Sequence, residues 1–115
     1  KPGGRFVFSV PHPAFPLIHD GRAPFFFDYE GHGYFSGRND KHEGEIHCID
    51  GTKLGVQAIH KTVADYFDGL GKAGFTSMPI VLELGVLPQH MELNPQFFGP
   101  VNDIPLHMAF SVEKA

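Results

Sequence analysis

The sequence predicts a small α/β domain, and three features of the pattern support this fold class. Residues 5–10 form a strand with apolar residues on both faces, which is typical of a strand covered on both sides. Residues 60–86 have the pattern of an amphipathic helix followed by a buried strand. Residues 106–112 place their larger apolar side chains at every second position, which predicts a last strand. The 115 residues are 42% hydrophobic and 19% charged, a composition typical of a single globular domain.

The first strand, Arg5–Val10, follows a glycine-rich turn and ends at Pro11-His12-Pro13. Prolines remove ladder donors and bias the residues before them toward extended conformations, so the strand should stop there. Residues 14–44 then show no period but contain seven aromatic residues. A loop of this length with so many aromatics predicts either a flap packed on its own sheet or a lid over a substrate pocket.

A hairpin is predicted at residues 45–59, because Asp50-Gly51 is a strong two-residue turn signal between two strand-like arms. The single cysteine, Cys48, falls in the first arm and is expected to be a buried strand residue. Residues 87–105 contain four prolines and predict a loop. The final strand, Leu106–Val112, places its larger apolar side chains on one face.

The predicted helix is the most legible element of the chain. Its apolar residues recur at helical spacing and share one face, namely Val63, Tyr66, Phe67 and Leu70. Thr62 and Asp65 have the spacing of a capping box at its start, and Gly74 is placed to end it. The apolar run Ile80–Leu82 then predicts a buried strand within residues 78–86.

Composition excludes several classes of function. The net charge is −4, and the lysines and arginines form no run or stripe, so nucleic acid is not an expected partner. No apolar run approaches the ~18 residues of a membrane span. One cysteine allows no internal disulfide, which suits a reducing compartment, and a cytoplasmic location is expected. The eight histidines show no tight ligand spacing, so no metal site is predicted, and a His-dependent metalloprotein ranks last among the hypotheses.

Three stretches in fixed order resemble the C-terminal half of a class I S-adenosylmethionine-dependent methyltransferase of the small-molecule type. K-P-G-G-R-F-V-F-S-V-P-H-P at 1–13 is similar to that family's P-G-G turn, fifth strand and His-Pro. H-K-T-V-A-D-Y-F-D-G-L-G-K-A-G-F at 60–75 is similar to its helix before the sixth strand. I-P-L-H-M-A-F-S-V-E-K at 104–114 is similar to its closing strand.

The resemblance implies one partial domain, residues 1–115, that carries strands five, six and seven of a Rossmann-like seven-stranded sheet with one helix. Residues 14–59 would be an insertion or lid containing the 45–59 hairpin, and the last strand would lie antiparallel between the other two. The family holds S-adenosylmethionine with a glycine-rich loop and an acidic residue that this chain lacks. The cofactor-binding residues are therefore unknown and expected in a missing N-terminal half.

Site residues follow partly from position and partly from the resemblance. His12 comes just past the carboxyl end of a strand, where open α/β sheets bind ligands, and it is the candidate base; it could instead cap loop backbone groups. His60 corresponds to a family histidine that faces the substrate, or it bonds the adjacent turn. The predicted catalytic residues are thus His12 and His60, and the predicted substrate-binding residues are Tyr34, Phe35, Phe15 and Glu83.

The expected function is the substrate-side half of a methyltransferase that acts on a small, partly apolar molecule and is inactive without the other half. The sequence does not indicate whether an oxygen, a nitrogen or a carbon atom of that molecule receives the methyl group. The first strand would have an open edge, which predicts pairing with the missing half or self-association. The alternative is a non-enzymatic α/β fragment that associates with itself or binds small ligands.

Overall fold

The computed structural model describes residues 2–114, which form two three-stranded antiparallel sheets and a few helices. The strands are β1 (Arg5–Pro11), β2 (Phe25–Phe27), β3 (Lys41–His47), β4 (Lys53–Ile59), β5 (Ile80–Leu84) and β6 (His107–Glu113). The helices are α1 (Phe15–Ile18), α2 (Val63–Lys72), α3 (Pro88–Leu93), α4 (Pro95–Phe98) and a 3₁₀ turn at Gly99–Val101.

The first sheet has the strand order β1-β6-β5 and carries the main hydrophobic core. Phe110 on the central strand lies opposite Phe8 of β1 and Val81 of β5. Helix α2 covers this face, and its Tyr66 and Phe67 rings contact Phe110 at centroid distances of 5.6 and 5.8 Å. The buried core residues are Leu70, Met108, Phe110 and Val112. The expected central position of the last strand is therefore confirmed.

The predicted fold class is wrong. Every strand pairing in the described residues is antiparallel, and the strands divide into two separate sheets instead of forming part of one Rossmann-like seven-stranded sheet. The physical reason is the segment expected to be an insertion or lid. Its β2, β3 and β4 satisfy one another's backbone groups and so build a second sheet that does not join the first.

The expectation that the first strand is covered on both faces is also wrong, and so is the buried strand predicted after the helix. Helix α2 covers only one face of the sheet. On the other face Val7 of β1 is 63% exposed and Ile80 of β5 is 61% exposed. Apolar residues on both faces of these strands thus mark an uncovered hydrophobic surface in this structure, not a doubly covered sheet.

The second sheet has the order β2-β3-β4. The predicted hairpin is present and Gly51 takes the left-handed conformation its turn requires, with φ 92°. The first arm begins at Lys41, earlier than predicted, and it ends at His47. Cys48 therefore lies in the turn and is half-buried, so the prediction of a buried strand cysteine is wrong. At Gly44 a Cβ would lie 2.5 Å from the carbonyl oxygen of Phe26, so glycine lets β2 approach β3.

Helix α2 begins and ends as the sequence predicts. The Thr62 hydroxyl accepts from the Asp65 N–H, and the Asp65 carboxylate accepts from the Thr62 N–H at 2.9 Å. The Arg38 guanidinium also bonds Asp65, with its Nε 2.9 Å from Oδ2, and so ties the second sheet's loop to the helix start. Gly74 follows the helix with φ 97°.

The long loops predicted at 14–44 and 87–105 are only partly loops. Residues 15–18 form α1, and β2 lies at 25–27. In the second segment Pro88 and Pro95 each occupy the first position of a short helix. Proline is favoured at that position, because its missing N–H has no partner there in any helix. These prolines therefore begin helices where they were expected to prevent them.

Candidate functional site

A narrow cleft of about 40 Å³ lies where the carboxyl end of β1 meets the second sheet. Both predicted catalytic residues line it, His12 just after β1 and His60 just after β4. Tyr29, Lys61 and Tyr66 line it as well. A cavity of this size holds ordered water but no organic molecule, so any substrate would have to bind at its mouth.

His12 is buried and both of its ring nitrogens have partners. Nδ1 accepts a hydrogen bond from the Ala14 N–H at 3.1 Å. The neutral ring therefore carries its proton on Nε2, which donates to Glu83 Oε2 at 2.6 Å. The backbone N–H of His12 also bonds the Leu106 carbonyl at 2.9 Å, which extends the β1–β6 pairing by one residue. His12 thus has no free lone pair and acts by holding Glu83.

Glu83 is the exposed partner of this pair. It lies near the carboxyl end of β5, on the same sheet face as α2, and 66% of its side chain is accessible to solvent. A carboxylate held by an imidazole N–H and open to solvent can accept a proton from a bound molecule. In this pair Glu83 is therefore the member that a bound molecule could reach, and the buried His12 holds its carboxylate.

His60 is 3% exposed and joins two loop segments. Its Nε2 lies 2.7 Å from the carbonyl oxygen of Tyr34, which can only accept, so this nitrogen carries the proton. Nδ1 then accepts from the Tyr29 hydroxyl at 2.8 Å. Burial, with a smaller contribution from the neighbouring Tyr66, raises the pKa of Tyr29 to about 12, so this hydroxyl stays protonated at neutral pH.

The predicted substrate-binding residues Glu83, Tyr34, Phe35 and Phe15 do not line this cleft. The Tyr34 hydroxyl accepts from the Val63 N–H at 2.7 Å, at the first residue of α2. Phe35 is 74% exposed and meets Tyr34 edge to face. Phe15 is fully buried and stacks on Phe25 at 4.8 Å. The structure brings His12, Glu83 and His60 to one end of the first sheet; Tyr34 contacts His60 through its carbonyl oxygen, whereas Phe35 and Phe15 lie elsewhere.

Sequence reasoning missed two aromatic residues beside His60, the half-buried Tyr29 and the buried His42. Tyr29 lies in the segment without a period, and its ring stacks on His42 at 3.7 Å. The His42 nitrogens face two carbonyl oxygens, those of Asp28 at 3.2 Å and Gly37 at 3.3 Å. No spacing in the sequence indicates this cluster, because its members come from different loops and strands.

The residues of the structure do not fit S-adenosylmethionine. Three loops join a strand to a helix in residues 2–114, and Gly85 is the one glycine among them. A Cβ at Gly85 would lie 3.0 Å from the Ile104 carbonyl oxygen, so this glycine serves the packing of the chain. Within the same described range, no group of three or more His, Cys, Asp or Glu side chains could hold a metal ion.

Family models, curated proteins and solved structures were compared with the chain, and none of them matches it. None of the helices described in residues 2–114 is long and apolar enough to cross a membrane.

Proposed function

We propose that the chain supplies the substrate side of an S-adenosylmethionine-dependent methyltransferase that acts on a small, partly apolar molecule. Support comes from the three stretches that carry the resemblance, which are distant in sequence but adjacent in space. β1 pairs with β6 along its whole length, and α2 packs on Phe110 of β6. S-adenosylmethionine would be held by residues outside 2–114.

The observation that carries this proposal is the His12–Glu83 pair. β1 and β5 both run antiparallel to β6 and so run parallel to each other, and the pair lies toward the carboxyl ends of both. A hydroxyl or amine acceptor must lose a proton when it is methylated. In this proposal Glu83 takes that proton, and the N–H of His12 holds its carboxylate.

A second candidate is a non-enzymatic unit that associates with itself or binds small ligands. Two observations favour it: the nitrogens of His12 and His60 are all engaged, and their cleft is too small for a substrate. The open edge of β1 would receive either a further half of the protein or a second copy. A cytoplasmic location belongs to both proposals, because Cys48 is free.

Transfer of labelled methyl groups from S-adenosylmethionine separates the two candidates. The assay uses small phenols, carboxylic acids and amines with the 115-residue chain and with the full-length product of its gene. We expect no transfer and no calorimetric binding of S-adenosylmethionine by the chain alone, and transfer by the full-length product. Absence of both transfer and binding in the full-length product contradicts the methyltransferase proposal and supports the non-enzymatic one.

A further inference from the structure

β1 is an edge strand, and alternate residues present their backbone groups to the open side. The Lys114 N–H bonds the Gly4 carbonyl at 2.8 Å, and the His12 N–H bonds the Leu106 carbonyl at 2.9 Å. Because antiparallel pairing alternates with period two, the even-numbered residues of β1 are those that bond β6. Arg5, Val7 and Ser9 therefore direct their N–H and C=O groups away from the sheet.

This edge lacks most of the features that protect sheet edges from pairing. Phe6 and Val7 are exposed, and Arg5, at one end of β1, is the strand's charged residue. Pro11 blocks the other end, because it has no N–H to donate. Within residues 2–114, Arg5, Val7 and Ser9 have no strand partner on this side, and an apolar edge of this kind is a template for another strand.

We propose that the 115-residue chain forms a symmetric dimer in which β1 pairs antiparallel with β1 of a second copy. In the register centred on Val7, Val7 lies opposite its own counterpart and Arg5 lies opposite Ser9. All three outward residues of each copy then make ladder hydrogen bonds. This register also sets Phe6 opposite Phe8 of the other copy, and such aromatic cross-strand pairs are stabilising.

Neighbouring registers are less favourable. A shift in one direction brings Pro11 opposite an outward residue, where its missing N–H leaves an acceptor unpaired. A shift in the other direction brings Ser9 opposite Gly3 of the second copy, which lies before β1 and whose N–H already bonds the Lys114 carbonyl, so one outward residue of each copy loses its partner. The register centred on Val7 avoids both costs.

The same symmetry fixes how the two copies of helix α2 would lie beside this edge. A groove along β1, floored by Phe6, Phe8 and Phe75, is rimmed by the charged residues Lys61, Asp65, Asp68 and Lys72. Helix α2 runs antiparallel to β1, since Lys61 lies near His12 at the end of β1 while Phe75 stacks on Phe6 at its start. A two-fold axis through Val7 would pass one residue from Phe6 and so would bring the C-terminal ends of the two helices toward each other. Lys72 lies at this end, and its charge is offset by Asp68 of the same helix, 2.9 Å away.

Cross-linking tests the register directly. In a Cys48→Ser background, Val7→Cys should form an intermolecular disulfide under mild oxidation. Residues opposite each other in a hydrogen-bonded antiparallel pair have Cα atoms about 5.5 Å apart, within the range a disulfide spans. Leu82→Cys is the matched control, because Leu82 is similarly exposed on the same face but lies on β5. Equal cross-linking of both variants, or none at Val7→Cys, overturns the proposed register.

Sedimentation and light scattering over a range of concentrations test the dimer itself. We expect a mass twice that of the chain for the wild type and for Leu82→Lys, and weakening of dimerisation by about tenfold or more for Val7→Lys. Circular dichroism confirms that both variants fold. A monomer at all concentrations, or a dimer that Leu82→Lys dissociates and Val7→Lys does not, contradicts pairing through β1. This result does not depend on methyl transfer, so each proposal can fail without the other.

Discussion

His12 Nε2 and Glu83 Oε2 lie 2.6 Å apart although 71 positions separate them in the chain. The pairing depends on the β1-β6-β5 strand order, because β6 holds the two outer strands in fixed register. The imidazole of His12 is the buried member of the pair, and the carboxylate of Glu83 is the exposed one.

Glu83→Gln should therefore impair the proposed reaction more than the fold. The amide keeps the size of the side chain but is not a base at neutral pH. We expect kcat/KM for methyl transfer by the full-length product to fall by about 10²- to 10⁴-fold, the usual contribution of a general base. The free energy of unfolding should change by less than ~0.5 kcal/mol, because the side chain is exposed.

Glu92→Gln is the control for this substitution, since Glu92 is an exposed glutamate on α3. It should leave turnover unchanged. If Glu83→Gln and Glu92→Gln have the same activity, Glu83 takes no proton in the reaction.

His60 is expected to stabilise the fold and not to react. His60→Phe retains a ring of similar size but leaves the Tyr34 carbonyl and the Tyr29 hydroxyl without their buried partner. Each unsatisfied group costs about 1–3 kcal/mol, so the free energy of unfolding should fall by about 2–4 kcal/mol in chemical denaturation. His107→Phe, at an exposed position on β6, should change it by ~0.5 kcal/mol or less. Equal effects of the two substitutions would argue against this role.

Local features of the fold could be predicted from the sequence, and the assembly of the sheets could not. The capping box of Thr62 and Asp65 depends on residues three positions apart, so the sequence determines it directly. The central position of β6 was implied by the resemblance to a methyltransferase sheet, and the apolar face of the strand agreed with it. The second sheet was missed because the three phenylalanines of β2 are too few to show a period.

For the candidate site, the sequence could indicate which histidines to consider but not what each of them does. His12 could be chosen from its place after a strand, and His60 from its match to the histidine that precedes the helix in the resembled family. Their roles depend on partners that no spacing reveals, such as the Ala14 N–H and the Tyr29 hydroxyl. The sequence also does not show which member of a pair is exposed to a ligand, as Glu83 is and His12 is not.

The lowered pKa of Asp65 predicts that the protein loses stability in acid. Arg38 and the backbone N–H of Thr62 hold the pKa of this carboxyl well below its usual range. A depressed pKa contributes stability that is complete above the unfolded value near 4 and is lost as the pH falls below it. The wild type should have a higher free energy of unfolding than Asp65→Asn at neutral pH. This difference, measured by urea unfolding, should become smaller at pH 3. Asp68→Asn, which removes an exposed ion pair with Lys72, should show a much smaller pH dependence of this difference.

The raised pKa of Tyr29 predicts that the protein loses stability as the pH rises in alkali. Burial raises its pKa to about 12 in the folded state, whereas an unfolded tyrosine has a pKa near 10. The folded state thus binds more protons in this window, so the stability contributed by Tyr29 is complete below about pH 10 and is lost as the pH rises toward 12. Tyr29→Phe removes the titrating group, and its free energy of unfolding should fall less steeply than that of the wild type between these values. Ultraviolet absorbance gives a direct check, because it follows the ionisation of tyrosine with pH. Tyr29→Phe should lack one of the tyrosines that ionise at the highest pH in the wild type. Loss of an early-titrating tyrosine instead would show that Tyr29 ionises near pH 10 and that its hydroxyl is not held in the buried contact with His60.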